Sequence, residues 1–287
     1  MIISKIDRSK GVRRISLDAK GVRLSALLIE PELVPPRAVI VAVHGAGMRA
    51  GYFDGQALPS LSLLALGASL GFTVLAPDRP GYGESADTLP NGQTLPEQAE
   101  TLVAGLSDFM SRHSTGAGVF VLAHSLGGKL AMHVAAGDAG ADLLGLDISG
   151  CGHTYATSPE ELLDPRRQRT NNWGPLQLYP PNTFRSSAGI VAPIPTRELR
   201  DTARWPGIFP ELAARIRVPV RFTFAEHESW WNHDRLALAN LETHITAAPH
   251  VLIGRQPGAG HNISLGLAAR SYHLGAINFL EDCLLET

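Results

Sequence analysis

The chain has 287 residues, of which 44% are hydrophobic and 18% are charged, and its formal net charge is −2. This length and composition predict one large globular domain with a substantial core and exclude a disordered chain. The small net charge gives no reason to expect binding to nucleic acid or to an anionic membrane surface. With two cysteines, no signal-peptide core and no apolar run of membrane-spanning length, we expect a cytoplasmic protein without a disulfide scaffold.

Alternating apolar runs and turn signals predict an α/β fold. The predicted strands span residues 12–17, 23–30, 38–43, 72–76, 118–123, 143–148, 218–225 and 249–253. The predicted helices span residues 57–70, 95–112, 126–136, 234–241 and 263–282. The first two strands flank a turn and form a hairpin, and the apolar run at 38–43 is typical of a strand buried on both faces. Strands that alternate with helices predict a mostly parallel, eight-stranded sheet with flanking helices.

The segment 151–210 differs from the rest of the chain. It is rich in proline, arginine, asparagine and tryptophan, and its hydrophobic residues show little periodicity. Irregular segments of this length inside a compact domain are usually lids or binding loops. We therefore expect a core domain formed by residues 1–150 and 211–287, and a cap formed by residues 151–210.

The most informative motif is a serine between small residues, where a predicted strand meets a predicted helix. Ala123 and Gly127 lie two residues on either side of Ser125, and Gly128 gives further room. This is the pattern of a nucleophile elbow, a turn so tight that larger side chains would collide with neighbouring backbone. The turn exposes the serine hydroxyl and leaves the backbone N–H of Leu126 free to bind an oxyanion.

A serine nucleophile needs a base, and the base needs a carboxylate that orients it. His261 follows the last predicted strand in a glycine-rich loop that can carry its imidazole over the sheet edge. Glu228 ends the preceding strand, where the chain order serine, acid, histidine places the acid. Glu226 in the same turn and Asp147, at the end of an earlier strand, are the rival acids.

Together these residues resemble the α/β-hydrolase superfamily, over about residues 20–282, with the irregular segment in the position of that family's cap. Residues 44–47 (His-Gly-Ala-Gly) are similar to the family's oxyanion loop, and residues 78–85 to the loop after its fourth strand. Residues 224–228 are similar to its acid turn, with alanine for glycine and glutamate for aspartate. The resemblance implies that the backbone N–H of Ala46 is the second oxyanion donor beside Leu126.

The resemblance implies a serine hydrolase that cleaves an ester or thioester through an acyl-serine, with no metal or cofactor. The implied partner is a small acyl substrate, either free or, given the seven arginines of the irregular segment, linked to a carrier or to CoA. Acyl transfer, cyclisation and carbon–carbon bond hydrolysis by the same triad are alternatives. A non-catalytic ligand-binding protein on the same fold is a second one.

Several further residues are expected to shape the site. The substrate-pocket candidates are His44, Gly45, His124, Trp173, Tyr179, Trp230 and Trp231. Among them, His44 is expected to support the oxyanion loop, and His124 to point into the core or toward the pocket wall, without proton transfer. In the loop after the fourth strand, Asp78 and Arg79 are expected to form a salt bridge with each other.

Overall fold

A computed structural model describes residues 8–32, 35–158, 161 and 164–286, and eight strands within these residues form one sheet. The strands are β1 (Arg13–Ala19), β2 (Val22–Ile29), β3 (Val39–Val43), β4 (Thr73–Pro77), β5 (Val119–His124), β6 (Leu143–Ser149), β7 (Val220–His227) and β8 (Val251–Gly260). Their order across the sheet is β1-β2-β4-β3-β5-β6-β7-β8. The hairpin β1–β2 and the pair β2–β4 are antiparallel, and every other pair is parallel. The predicted eight-stranded, mostly parallel sheet is confirmed.

Helices cover both faces of the sheet. Those described are α1 (Leu63–Ser69), α2 (Leu95–Arg112), α3 (Leu126–Ala136), α4 (Pro165–Trp173), α5 (Thr183–Ser186), α6 (Thr196–Thr202), α7 (Trp205–Ala213), α8 (Arg235–Thr243) and α9 (Ala269–Leu285). In β3, Val39, Val41 and Val43 pack on the face of α2, α3 and α7, while Ile40 and Ala42 pack on the face of α1 and α9. Side chains alternate across a strand, so five consecutive apolar residues supply both layers of the core. No helix of the described residues is long and apolar enough to cross a membrane.

The bounds of α2 and α3 agree with the sequence prediction. The chain begins α2 with a capping box, in which Thr94 and Glu97 satisfy each other's backbone N–H groups, and Pro96 lies in the first turn.

The predicted helices at 57–70 and 263–282 are too long, because short 3-10 turns precede α1 and α9. Ser62 caps α1 by accepting from the backbone N–H of Ala65, and the extended backbone at Gly266 interrupts the predicted last helix.

The irregular segment contains more regular structure than its sequence indicates. Four described helices, α4 to α7, lie between β6 and β7. They are short, and between its first proline and its terminal tryptophan α4 has only polar residues, so no apolar stripe reveals it in the sequence. One of them, α7, runs past residue 210 and packs Trp205 and Phe209 into the same core layer as α3.

Candidate active site

Ser125 lies in the sharp turn between β5 and α3. Its backbone has φ 54° and ψ −120°, a strained conformation for a residue with a side chain. A Cβ on Gly127 would lie 2.4 Å from the carbonyl oxygen of Val43 and 2.5 Å from that of His44, so only glycine allows α3 to start this close to β3. The geometry is that of the predicted elbow, and it points the Ser125 hydroxyl into a cleft beyond the strand ends.

Three side chains from three separate loops form a hydrogen-bonded series. His261 Nε2 lies 3.1 Å from Ser125 Oγ, and His261 Nδ1 lies 2.8 Å from Glu228 Oε2. The side chains of His261 and Glu228 are 3% and 0% exposed, so the charge of the carboxylate acts on the imidazole with little screening by water. The series can carry a proton from the serine oxygen to the imidazole while the carboxylate holds the ring and its tautomer.

Backbone donors fix the Glu228 carboxylate at the end of β7. Its Oε1 atom accepts from the backbone N–H groups of Ser229 (3.0 Å) and Trp230 (2.9 Å). Glu226 is exposed and accepts from the backbone N–H of Gly258, on the other side of the turn. The extra methylene of glutamate, relative to the family's aspartate, does not prevent contact with His261.

Asp147 lies on β6 and accepts hydrogen bonds from residues other than His261. It is fully buried and accepts from Arg221 Nη1 (2.6 Å) and from the hydroxyl of Tyr272 (2.8 Å). Burial raises the pKa of Asp147, and the charge of Arg221 opposes that rise. Of the three candidate acids, the structure brings only Glu228 into contact with His261.

Two further histidines at the site are buried and neutral. Burial lowers the pKa of His124 well below its usual value, and the neighbouring His261 adds to the effect. The His124 ring stacks on Tyr52 with 4.8 Å between centroids, and its Nδ1 lies 3.1 Å from Ser149 Oγ. Burial and then the charge of Arg79 lower the pKa of His44 in the same direction. Both imidazoles therefore support the loops around Ser125 without carrying charge.

Two residues that line the cleft with Ser125 have backbone N–H groups without a protein acceptor in the described part of the chain. These residues are Ala46 and Leu126. A Cβ on Gly45 would lie 3.0 Å from the Ser125 Cβ, so glycine allows the loop after β3 to approach the elbow. Two backbone donors without a protein acceptor, beside a serine hydroxyl, are what an oxyanion hole would require.

The cleft above Ser125 has a volume of about 100 Å³. Its described lining combines apolar and polar side chains and includes, besides the residues above, Met48, His124, Lys129, Tyr155, Gln168, Asn172, Ile194, Leu199, Thr202, Trp230, Trp231 and Asn262. Trp230 and Trp231 lie beside the acid turn as predicted, and Trp230 Nε1 donates to Asn172 Oδ1 (2.8 Å).

Three pocket candidates lie outside this described lining. Trp173 and Tyr179 pack against each other, with ring centroids 5.2 Å apart, and Tyr179 belongs to the core layer around α1 and α9. Trp173 is the last residue of α4 and packs against the same core layer. His44 is fully buried beneath the oxyanion loop, so it shapes the cleft only through Gly45.

Two polar features of the site were not predicted from the sequence. Arg79 pairs with Glu198 of α6 and not with Asp78, which instead accepts from the Ser25 hydroxyl and the backbone N–H of Ala50. Lys129 is buried on α3, lines the cleft and donates to the hydroxyl of Tyr155. The only sign of the buried Lys129 in the sequence is that a lysine lies among the apolar residues of the first turns of α3.

No metal site was found in the part of the chain that the structure describes. Among these residues, no group of three or more His, Cys, Asp or Glu side chains is arranged to hold a metal ion. Cys151, close to the elbow, is buried and unpaired, and burial raises the pKa of its thiol to about 12. A thiol held protonated in this way is a poor nucleophile.

Solved structures with the same fold include several hydrolases. A thermostable carboxyl esterase from Bacillus coagulans has 18% identity and a TM-score of 0.70, over 96% of this chain and 99% of that chain. A soluble variant of monoglyceride lipase from Saccharomyces cerevisiae has 14% identity and a TM-score of 0.70, over 95% of each chain. A thioesterase domain from the curacin biosynthetic pathway has 16% identity and a TM-score of 0.62, over 92% of this chain and 99% of that chain.

Sequence comparison gives the family. No curated protein sequence matches the chain. The model of the alpha/beta hydrolase family matches residues 40–270, a range that begins in β3 and ends in α9. It therefore includes the elbow, the acid turn and the loop of His261. Because this match covers most of the chain and agrees with its sheet order, the protein belongs to the alpha/beta hydrolase family.

Proposed function

We propose that the protein is a serine hydrolase that cleaves carboxylic esters and thioesters through an acyl-serine intermediate. The observation that carries the proposal is the series of contacts from Glu228 to His261 (2.8 Å) and from His261 to Ser125 (3.1 Å). In this proposal Ser125 is the nucleophile, His261 the general base and acid, and Glu228 the orienting carboxylate.

The first half of the reaction forms the acyl-enzyme. Ser125 Oγ bonds to the carbonyl carbon of the substrate while its proton passes to His261 Nε2. The carbonyl oxygen becomes an oxyanion, which accepts from the backbone N–H groups of Ala46 and Leu126. When the intermediate collapses, the bond to the leaving group breaks, and His261 returns the proton to the departing alcohol or thiol.

The second half releases the acid. A water molecule gives a proton to His261 Nε2 as its oxygen attacks the acyl carbon, and the oxyanion forms again at the same two amides. Collapse of this intermediate breaks the bond to Ser125 Oγ, and the proton on His261 returns to the serine. The products are a carboxylic acid and the restored Ser125 hydroxyl, so the sequence of steps consumes one water molecule.

We further propose that residues 151–210 form a cap whose side chains select the acyl group. Tyr155, Ile194 and Leu199 of this segment line the cleft opposite Ser125, and with Met48 and Trp231 they favour a hydrocarbon acyl chain. Linkage to a carrier or to CoA stays a proposal that depends on the seven arginines of the segment. Among the described residues, no arginine lines the cleft.

A fluorophosphonate probe tests the proposal, because it phosphonylates an activated serine and releases fluoride. The wild type is expected to be labelled and to hydrolyse p-nitrophenyl butyrate to the free acid, whereas Ser125→Ala should show neither. Ser229→Ala is the matched control, since this exposed serine lies next to Glu228 and contributes only its backbone N–H. Equal labelling of the wild type and Ser125→Ala would overturn the assignment.

Acyl-CoA substrates extend the same test to thioesters. Release of free CoA can be followed with a thiol reagent, and the ratio of kcat/KM for butyryl-CoA and p-nitrophenyl butyrate gives the preferred leaving group. If the arginines contact the carrier, kcat/KM for the CoA thioester should fall as salt rises, while that for the uncharged ester stays constant. Parallel salt dependence for both substrates would contradict carrier recognition and leave the serine hydrolase assignment intact.

A further inference from the structure

A buried ion pair connects helix α6, in the segment between β6 and β7, with the loop after β4. The guanidinium of Arg79 contacts both carboxylate oxygens of Glu198 at 2.9 Å, and both side chains are 0% exposed. Tyr82 donates its hydroxyl to Glu198 Oε1 (2.8 Å), and Gln98 Nε2 donates to Oε2 (3.3 Å). An unpaired buried charge is very costly, so α6 and this loop are fixed to each other.

Arg79 also holds the carbonyl group of Gly45 in two ways. Its Nη2 atom donates to the Gly45 oxygen at 3.3 Å. Its backbone N–H donates to Nε2 of His44 (3.0 Å), which leaves the single proton of the neutral imidazole on Nδ1. That Nδ1–H donates to the same Gly45 oxygen at 2.8 Å.

The Gly45 carbonyl and the Ala46 N–H belong to one peptide unit. Because a trans peptide is planar, its C=O and N–H bonds point in opposite directions, and donors that fix the carbonyl also fix the direction of the N–H. On the other side of Ala46, the backbone N–H of Gly47 donates to the Tyr82 hydroxyl (3.1 Å), which in turn donates to Glu198. The peptide groups on both sides of Ala46 are thus connected to the same buried carboxylate.

We propose that Glu198 is a positioning residue that, through Arg79 and Tyr82, orients the backbone N–H of Ala46 toward the developing oxyanion. The inference depends on the proposed function, in which Ala46 is an oxyanion donor. In this proposal, α6 orients an oxyanion donor through Glu198, besides lining the cleft with Leu199 and Thr202. The donor is therefore correctly oriented only while α6 is packed on the loop after β4.

Glu198→Gln tests this inference, because it keeps the shape of the side chain and removes its charge. Turnover is measured with p-nitrophenyl acetate and divided by the number of serines that a fluorophosphonate labels at saturation. We expect kcat per labelled serine to fall about tenfold or more with KM little changed, since removing one oxyanion donor costs about 10²–10³ in kcat. The Ki of a boronic acid, which forms a tetrahedral adduct with serine, should rise by the same factor.

Glu97→Gln is the matched control, because it makes the same substitution in the ion pair next to Glu198. Arg197 precedes Glu198 on α6 and forms an ion pair with Glu97 of α2, but this pair is partly exposed and does not contact the oxyanion loop. Loss of this bond should leave kcat per labelled serine and the boronic acid Ki within about twofold of wild type. A role of Glu198 in packing alone would lower the melting temperature and the labelled fraction, without changing turnover per labelled serine.

The outcomes separate this inference from the proposed function. Wild-type turnover per labelled serine in Glu198→Gln would overturn the inference, while Ser125-dependent hydrolysis by the wild type would still support the proposed function. If Glu198→Gln does not fold, Tyr82→Phe removes the acceptor of the Gly47 N–H and keeps the ion pair, and wild-type turnover in that variant would overturn the part of the inference that acts through Tyr82. Absence of Ser125-dependent hydrolysis in the wild type would overturn both.

Discussion

The carboxylate of Glu228 has every oxygen atom committed to a partner. Oε2 contacts His261 Nδ1 at 2.8 Å, and Oε1 contacts the same nitrogen at 3.1 Å besides accepting from two backbone N–H groups. With these acceptor contacts, Nδ1 carries the proton and Nε2 is free to accept one from Ser125. The charge of Glu228 thereby determines which nitrogen of His261 can act as the base.

Glu228→Gln should separate this charge from the shape of the side chain. Its amide can donate to Nδ1, which would stabilise the tautomer that has no acceptor facing Ser125, so we expect kcat to fall about 10²–10⁴-fold. Steady-state hydrolysis of p-nitrophenyl butyrate measures this loss, with circular dichroism as the check on folding. Glu226→Gln, in the same turn but with an exposed carboxylate bonded to Gly258, should keep kcat within about twofold. Similar losses in the two variants would contradict the assignment of Glu228.

Helix α3 follows the strained Ser125 directly and begins with Leu126, the first proposed oxyanion donor, so its position relative to β3 controls the geometry of the candidate site. The close contact at its first turn is between Gly127 and the carbonyl groups of Val43 and His44. A methyl group there would meet backbone atoms, which cannot move aside as the end of a flexible side chain can. The whole N-terminal end of α3 would have to shift, together with Ser125 and Leu126.

Gly127→Ala is therefore expected to lower both stability and activity. Overpacking of this kind typically costs about 1–3 kcal/mol of unfolding free energy, and displacement of the nucleophile should lower kcat at least about tenfold. Urea unfolding and ester hydrolysis measure the two effects. Gly137→Ala at the other end of α3 is the control, since its Cβ would have contacts no shorter than 3.5 Å and its φ is −88°. That control should keep full activity and gain up to about 1 kcal/mol.

Elements with strong local signals were predictable from the sequence, and those that depend on tertiary contacts were not. The capping box at Thr94 and the apolar stripe behind it defined α2 correctly. The strand predicted at 249–253 is longer as β8, because Gln256–Gly260 pairs with β7 although its polar and glycine residues show no alternation. In the segment between β6 and β7, α4 to α6 are too polar or too short to show an apolar stripe. The buried side chains Trp205, Phe209 and Leu212 of α7 do have helical spacing, but the prolines at 206 and 210 argue against a helix in the sequence.

In the site as a whole, too, the residues that follow strands were predictable from the sequence, and those that depend on tertiary contacts were not. Ser125, Glu228 and His261 each follow a strand of a parallel sheet, and the carboxyl ends of parallel strands meet at one edge, so chain order was enough to bring them together. Glu198 is separated from Arg79 by 119 positions and lies in a segment without periodicity. Nothing local distinguishes it from a solvated surface glutamate, and only the folded chain shows that it is buried against Arg79.

Buried neutral histidines couple the stability of the whole molecule to pH. Burial lowers the pKa of His44 and His124 well below 6.5, and it lowers that of His273, on the buried face of α9, to about 3. When the pH falls below 6.5, each imidazole binds a proton in the unfolded chain but not in the folded one. Their contribution to stability is therefore present above pH 6.5 and is lost as the pH falls toward the folded-state pKa, at up to about 1.4 kcal/mol per pH unit for each histidine.

His273 allows a direct measurement of this coupling, because it lies away from Ser125 and contacts only Ser264 through Nε2 (3.0 Å) among its described hydrogen bonds. Between pH 4.5 and 5.5, the unfolding free energy of His273→Gln should depend on pH less steeply than that of the wild type, by about 1.4 kcal/mol per pH unit. Ser264→Ala removes the partner hydroxyl but keeps the imidazole, so this control should lose stability while retaining the wild-type slope. Urea unfolding at several pH values within this interval measures both slopes. Equal slopes in His273→Gln and the wild type would mean that His273 is protonated in the folded chain as readily as in the unfolded one.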